Sequence, residues 1–243
     1  MEKKLLKTGD NIKSSLSSWK FGGGTAYNFD EHVNKSVPGY EFGHELICKY
    51  FDFFVNIEPK KVYDLGCSTG TLINKLNNRH NNAGINFIGL DEEEDMIKIA
   101  KNKPVSKNVN SIDFENTNLY NFEFEKSSSI ISYYTLQFIA PHYRQELINK
   151  IYKSLSWGGG FFLFEKTRRS DARFQDMSNH VYNEYKLSMG YSPEEIFSKS
   201  RSLTGILEPF STKGNIDLLK RAGFIDIECI FTSFCFTGWL CIK

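Results

Sequence analysis

The chain has no excess of charge of either sign, no paired cysteine motif and no long apolar run, and each absence closes off a class of protein. Lysine and arginine number 30 against 29 aspartates and glutamates, a net charge of +1. That balance leaves no electrostatic footprint for a nucleic acid, so no direct nucleic-acid binding is expected. The five cysteines, Cys48, Cys67, Cys229, Cys235 and Cys241, are scattered, with no CxxC and no zinc spacing. They read as reduced thiols of a cytoplasmic protein, and no metal site is expected. The N-terminus has charges but no apolar core of a signal peptide. No run reaches membrane-spanning length, so no membrane partner is expected. There is no internal repeat. What is present is a 243-residue chain, enough for one α/β domain with an added element. Its 21 Phe and 12 Tyr suit an aromatic-lined core and pocket.

The chain is organised around Val62-Tyr63-Asp64-Leu65-Gly66-Cys67-Ser68-Thr69-Gly70, followed by Thr71-Leu72-Ile73-Asn74-Lys75-Leu76. A short apolar strand runs into a glycine turn and then a helical pattern, the opening βα unit of a nucleotide-binding sheet. Asp64 just before the first glycine is informative. A helix N-terminus favours anions, and a carboxylate beside it would repel a pyrophosphate. A cationic donor such as S-adenosylmethionine, with an ammonium and a sulfonium, suits that carboxylate. A second strand, Ile85 to Leu90, ends in Asp91. That acid lies about 25 residues beyond Gly66, close to the spacing at which a carboxylate takes ribose hydroxyls. The plainer alternative, an ordinary strand–turn–helix with a solvated acid, leaves the agreement of turn, first acid and second acid unexplained.

Around this unit the chain divides into an arm and helical cap (residues 1–57) and a cofactor-binding domain (58–243) with a helical lid at about 167–214. Met1 to Ser18 reads as a loose, weakly helical arm. Trp19 to Asp30 spaces aromatics around Gly22-Gly23-Gly24, as a segment that folds over something would. Pro38-Gly39 is a turn, and Glu41 to Ile57 has helical periodicity. Then strands and helices alternate: a helix over 92–102, a strand over 112–118, a strand over 129–135, and an amphipathic helix over 141–155. Trp157-Gly158-Gly159-Gly160 reads as that helix's stop before a fifth strand at Phe161 to Lys166. Thr167 to about Ser198 is polar and helical, too long for a plain connection. A last helix, Asn215 to Ala222, stops at Gly223. Two closing strands at 225–231 and 233–242 form a hairpin.

With these residues in place, the chain resembles the class I S-adenosylmethionine-dependent methyltransferases. Nearly along its whole length it is similar to the family of carboxy-S-adenosylmethionine synthase and its sister methyltransferases. The matching pieces include Phe29-Asp30-Glu31, Ser36-Val37-Pro38-Gly39-Tyr40, Val62 to Ser68, Thr135-Leu136-Gln137-Phe138, Glu165-Lys166, Gly190-Tyr191-Ser192 and Ala222-Gly223-Phe224. The resemblance implies a Rossmann-like, doubly wound sheet of seven strands, a homodimer, and S-adenosyl-L-methionine at the carboxyl edge, leaving as S-adenosyl-L-homocysteine. It implies that Tyr40 touches the cofactor and that Gly66, Cys67 and Ser68, with Gly70 closing the turn, hold its methionine part beside Asp64. Asp91 and Glu92 take the ribose. Asn118 and Leu119 frame the adenine, where the family has an Asp first; the Asn118 side-chain oxygen can still accept from the adenine amino group.

Two departures separate the chain from the synthase. Tyr133 stands where the synthase has an asparagine. The synthase's arginine directly after a lysine, which pairs with the cofactor's extra carboxylate, is displaced here to Lys199-Ser200-Arg201. One residue on a helix is a rotation of about 100°, which a bidentate arginine contact does not absorb easily. A sister methyltransferase is therefore favoured. Methyl transfer needs alignment and exclusion of water, and a base only when the acceptor is an alcohol. His180, in the lid, is the candidate base, and Arg201 the candidate acceptor contact, with His32 and His44 also near the pocket. Lys166, Arg168, Arg169 and Arg173 follow the fifth strand and suit an anionic acceptor; a solvated basic helix face is the alternative. Strand alternation sends only one of Tyr133 and Tyr134 inward, and Tyr133 is expected there. The expected function is methyl transfer to a small polar, anionic metabolite or surface-glycan precursor. The alternatives are prephenate-dependent carboxy-S-adenosylmethionine synthesis for tRNA wobble-uridine modification, and a non-catalytic cofactor-binding subunit.

Overall fold

The computed structural model describes residues 6–10, 12–106 and 109–243. It opens with a small antiparallel pair, β1 (Leu6–Lys7) and β2 (Lys13–Ser14), followed by α1 (Gly24–Tyr27), α2 (Phe29–Ser36) and α3 (Tyr40–Phe51). The alternating part is β3 (Lys61–Leu65), α4 (Thr71–Arg79), β4 (Asn86–Asp91), α5 (Glu94–Asn102), β5 (Ser111–Asn116) and β6 (Ser127–Tyr133). After a short 3₁₀ turn at Leu136–Phe138 come α6 (Pro141–Ser154), β7 (Leu155–Lys166), α7 (Ala172–Ser188), α8 (Pro193–Leu203) and α9 (Thr212–Ala222). The chain closes on β8 (Asp226–Ser233) and β9 (Phe236–Ile242).

Seven strands form one sheet in the order β5-β4-β3-β6-β7-β9-β8. The first five are parallel, and the closing hairpin adds β9 antiparallel to β7. The winding reverses between β3 and β6, which opens a crevice at the carboxyl ends of the strands. Alternation along the strands feeds two cores. Val62, Phe87, Ile131 and Phe162 point to one face and pack with Ile47 and Phe51 of α3 and Ile73 and Leu76 of α4. Tyr63, Leu65, Ile130 and Phe161 point to the other, against Leu147 and Ile151 of α6 and Leu218 and Leu219 of α9. This is the α/β, doubly wound seven-stranded arrangement expected from the sequence. No helix among the described residues is long and apolar enough to cross a membrane.

Several local expectations are corrected. Residues 1–5 and Asn11 lie outside the described residues, but the rest of the arm is neither helical nor loose. Ser17 and Ser18 donate backbone N–H bonds to the carbonyls of Arg201 and Ser202 (3.1 and 3.2 Å), tying the arm to the end of α8. The glycine run at Gly158-Gly159-Gly160 does not end α6; it lies inside β7, which begins at Leu155. Glycine is needed there because a Cβ on Gly160 would stand 2.8 Å from the Phe54 ring and one on Gly159 would stand 2.8 Å from the Ser128 carbonyl. The periodic stretch after Pro38-Gly39 is helical only as far as Phe51. The polar segment after β7 is two helices, not one. Ser192 caps the second by accepting from Glu195 N–H while the Glu195 carboxylate accepts from Ser192 N–H, and Pro193 occupies the first helical position.

Candidate active site

One cavity of about 960 Å3 lies over the carboxyl ends of β3, β4, β6 and β7. Gly66, Ser68, Asp91, Glu92, Asn118 and Leu119 line one end of it. The glycine turn is held from behind. Gly66 and Cys67 donate their N–H groups to Leu90 O (2.7 and 3.0 Å), and Ser68 N–H donates to Asp91 Oδ2 (2.9 Å). Asp91 Oδ1 accepts from Glu93 N–H at 2.9 Å. Gly66 has φ 68°, and a Cβ there would collide with the Thr135 side chain. Thr69 Oγ1 (2.7 Å) and Lys103 Nζ (2.8 Å) both donate to the Asp30 carboxylate, which fastens α2 to the turn.

The structure separates the residues singled out from the sequence. Asp91 is buried at the cavity wall, and Glu92 stands exposed at the lip, where its Oε2 accepts from Asn118 Nδ2 (3.2 Å). The Asn118 side-chain oxygen accepts from Tyr120 N–H at 2.9 Å and keeps its second lone pair. Leu119 is buried beside it. Cys67 turns its thiol into the apolar core, so only its backbone belongs to the turn. Gly70, at φ 71°, caps α4 outside the cavity. Asp64 lies behind the turn in a small recess with Tyr40, Thr69 and Thr71. It is 3 % exposed, pairs with no basic side chain among the described residues, and burial, then the Asp91 charge, pushes its carboxyl up to about 7. Burial likewise pushes Asp91 up to about 6.

Above the turn stands an aromatic cage. The Tyr133 hydroxyl donates to Tyr40 O at 2.5 Å, and their rings lie 4.9 Å apart. Alternation suggested that only one of Tyr133 and Tyr134 faces inward. Instead both line the cavity, because Tyr134 has φ 62° and leaves the strand conformation. Trp19 and Phe21 close the side of the cavity. Trp19 stacks on His32 (5.6 Å, 26°), Phe21 meets Phe138 edge-on at 4.8 Å, and Gly23 N–H donates to Asp95 Oδ2 at 2.9 Å.

The opposite end is basic. Lys166, Lys186 and Lys199 all line it, as does Arg168. Burial, then the neighbouring Lys186 charge, brings the Lys199 ammonium down to about 7; burial and Lys166 bring Lys186 down to about 8. Lys199 Nζ donates to His32 Nε2 (2.5 Å) and to Ser36 Oγ (2.8 Å). His32 Nδ1 faces Asp10 Oδ2 at 2.6 Å. Burial and the Lys199 charge hold His32 down at about 4, so it is a neutral ring bridging a carboxylate and an amine.

Two expected residues stand elsewhere. His180 lies on the exposed face of α7 and does not line the cavity, which corrects its place as candidate base. Arg201 is exposed, its guanidinium 5.6 Å over the Phe197 ring, while Ser200 lines the cavity. The one-residue displacement therefore turns the guanidinium outward. Arg173 is exposed on α7, and Arg169 donates to Phe234 O, so of the basic group after β7 only Lys166 and Arg168 face inward. His44 is buried beside Tyr133, not in the main cavity. Lys186 and Asp10 were not singled out from the sequence; His32 was expected near the pocket and does line it, and Lys199 entered only as the lysine before the displaced arginine. They come from separate elements that only the packing of the arm, α2, α7 and α8 brings together.

A reversing α/β sheet, a glycine turn flanked by two acids and an aromatic cage over it define the class I S-adenosylmethionine-dependent methyltransferases. A sequence profile described as a methyltransferase domain matches residues 62–159. A carboxy-S-adenosyl-L-methionine synthase of Staphylococcus epidermidis is 37% identical over 220 residues, covering 90% of this chain and 94% of that protein. One from Nautilia profundicola is 37% identical over 203 residues, covering 84% and 85%. Among solved structures, the plantazolicin methyltransferase BpumL in complex with SAH matches with TM-score 0.62 at 15% identity, covering 89% of this chain and 90% of that one. Human N-acetylserotonin methyltransferase in complex with SAM matches with TM-score 0.62 at 18% identity, covering 90% and 56%. The chain belongs to the family of the carboxy-S-adenosyl-L-methionine synthases and their related methyltransferases, transferases that use S-adenosylmethionine. Its residues fit that cofactor: Asp64 is a buried carboxylate without a cation, beside a turn where an added Cβ would not fit. Among the described residues no group of three or more His, Cys, Asp or Glu could hold a metal ion.

Proposed function

We propose that this protein transfers a methyl group from S-adenosylmethionine to a small, anionic acceptor. The observation that carries the reading is the division of one cavity into an acidic end and a basic end. Its volume of about 960 Å3 lies at the top of the range of small-molecule sites, about 300–1,000 Å3, which suits two ligands. Asp91 and Glu92 at the cavity wall, with Asp64 in the recess behind the turn, answer the ribose and the positive charge of the donor. Tyr40, Tyr133 and Tyr134 present aromatic rings, whose faces favour a sulfonium. The cofactor supplies an electrophilic methyl group. The protein aligns the acceptor with it and excludes water, and the Trp19–Phe21 segment is suited to that exclusion. At the other end Lys166, Lys186 and Arg168 hold the acceptor's negative charge. A small metabolite or a surface-glycan precursor carrying a carboxylate or phosphate fits this description.

The second reading is carboxy-S-adenosylmethionine synthesis, the activity after which the Staphylococcus epidermidis and Nautilia profundicola relatives are named. Against it stands the position after Lys199. A serine faces the cavity where the synthase resemblance calls for arginine, and Arg201 turns away. Mass spectrometry of the nucleoside carried by the purified protein separates the two. Methyl transfer expects S-adenosylmethionine or S-adenosylhomocysteine; a nucleoside heavier than S-adenosylmethionine by one carbon dioxide would establish the synthase.

A further inference from the structure

Lys166, Lys186 and Lys199 are three amines in one cavity wall with no carboxylate within ion-pair distance of any of them among the described residues. They are built around one side chain and one serine. The Lys166 and Lys186 ammoniums lie 4.7 and 4.5 Å from the centroid of the Tyr182 ring. The Tyr182 hydroxyl donates to Ser36 O at 2.7 Å, and Ser36 Oγ accepts from Lys199 at 2.8 Å. An aromatic face offsets only a small part of the cost of withdrawing an ammonium from water. Half-buried charge of one sign without a counter-charge is costly and persists where a ligand supplies the missing partner.

We propose that this wall is a seat for a doubly charged anionic group, a phosphate-type tetrahedral dianion or a pair of carboxylates on a single carbon. This rests on the methyl-transfer reading for the statement that the dianion belongs to the acceptor. Lys166 and Lys186 provide two cations. Lys199 is the adjustable third. It bonds to His32 and Ser36 of α2 and lies 5.2 Å over the Trp19 ring; Asp10 of the arm, itself held by Lys35 and Tyr191, stands behind His32, and the Lys166 and Lys186 charges reach it from β7 and α7. Of these, Asp10 favours its charged form, and Lys166 and Lys186 oppose it. A dianion between the lysines cancels that opposition, so seating it draws a proton onto Lys199. The sign follows: the seat carries its full charge below about pH 7, loses Lys199 as pH rises through about 7, and loses Lys186 through about 8. Binding of a dianion therefore weakens with rising pH and is accompanied by proton uptake near neutrality.

The test is calorimetry on protein saturated with S-adenosylhomocysteine, with sulfate, malonate and acetate as probes. Sulfate keeps its two charges across the whole range, so its pH dependence reports the protein. Sulfate or malonate is expected to bind at least tenfold tighter than acetate. Whichever of the two binds tighter identifies a tetrahedral or a dicarboxylate ligand. Sulfate is expected to bind at least tenfold tighter at pH 6 than at pH 8.5, with a heat at pH 7.5 that differs between Tris and HEPES because a proton is taken up. Lys199→Met should reduce the pH dependence to the part that Lys186 contributes near pH 8, and Lys166→Met and Lys186→Met should each weaken sulfate tenfold or more, with S-adenosylhomocysteine affinity retained in all three. Dianions binding no tighter than acetate to protein that holds S-adenosylhomocysteine normally would overturn the seat and leave methyl transfer standing. Failure to bind S-adenosylhomocysteine would instead count against the methyl-transfer reading.

Discussion

Replacing Asp64 with Asn tests how the donor end works, because it separates two opposing effects of one buried carboxylate. In the free protein Asp64 is 3 % exposed, and its carboxyl is raised from 3.8 to about 7 by burial and by Asp91. A shift of one unit is about 1.4 kcal/mol, so ionising Asp64 costs the fold at most about 4 kcal/mol. For an acid whose folded value lies above its unfolded value, that cost is absent below about pH 4 and grows until about pH 7. Stability of the free protein therefore falls with rising pH over this window. Cofactor binding runs the other way, since only the carboxylate attracts the ammonium. With a value near 7, about a tenth of Asp64 is ionised at pH 6 and about nine tenths at pH 8, which makes S-adenosylhomocysteine bind about tenfold tighter at pH 8. Asp64→Asn removes the share of both slopes that Asp64 contributes and leaves the part carried by Asp91. It should stabilise the free protein at pH 8 by about 1–3 kcal/mol, the remainder being lost to an imperfectly bonded amide. Urea unfolding and titration calorimetry at pH 6 and pH 8 measure the two quantities. A wild-type affinity that is flat or falling between these values, or an Asp64→Asn protein that binds as wild type does, would refute the reasoning.

Three further outcomes follow from the same geometry. Gly66→Ala places a Cβ into Thr135 at φ 68°, and should cost about 2–4 kcal/mol in urea unfolding and abolish measurable S-adenosylhomocysteine binding. Asp91→Ala frees the N–H groups of Ser68 and Glu93 and removes the candidate ribose acceptor, so calorimetry should show binding weakened by tenfold or more. His180→Ala, on the exposed face of α7, should leave both melting temperature and S-adenosylhomocysteine affinity unchanged within error.

What the sequence revealed was local in origin. A strand, a glycine turn and a helix start within fifteen residues at Val62 to Leu76, and their signals need no distant contact. The alternation of apolar strands and amphipathic helices likewise reports which face of each element is buried, so the sheet could be read from it. The rest depended on contacts between remote segments. Tyr134 faces the cavity only because its backbone leaves the strand conformation, which period-two alternation does not anticipate. Gly158 to Gly160 looked like a helix stop but serves close packing within β7. The arm looked loose because its anchors, the carbonyls of Arg201 and Ser202 and the side chains of His32, Lys35 and Tyr191, lie far along the chain. The lysine wall is the clearest case: Lys166 was singled out for its place at the end of a strand and Lys199 was noted only beside the displaced arginine, whereas Lys186 carries no motif, and the three become neighbours only when α7 and α8 fold back over the sheet.

The most direct measurement of the central claim follows the methyl group itself. The protein is incubated with S-adenosylmethionine carrying a ¹³C-methyl group and with the small-molecule fraction of a cell extract, and the products are separated by anion exchange and read by mass spectrometry. The label is expected in an anionic small molecule, formed in step with S-adenosylhomocysteine and reduced when Asp64 is replaced. Label retained on a carboxylated nucleoside, with no S-adenosylhomocysteine formed, would contradict that claim.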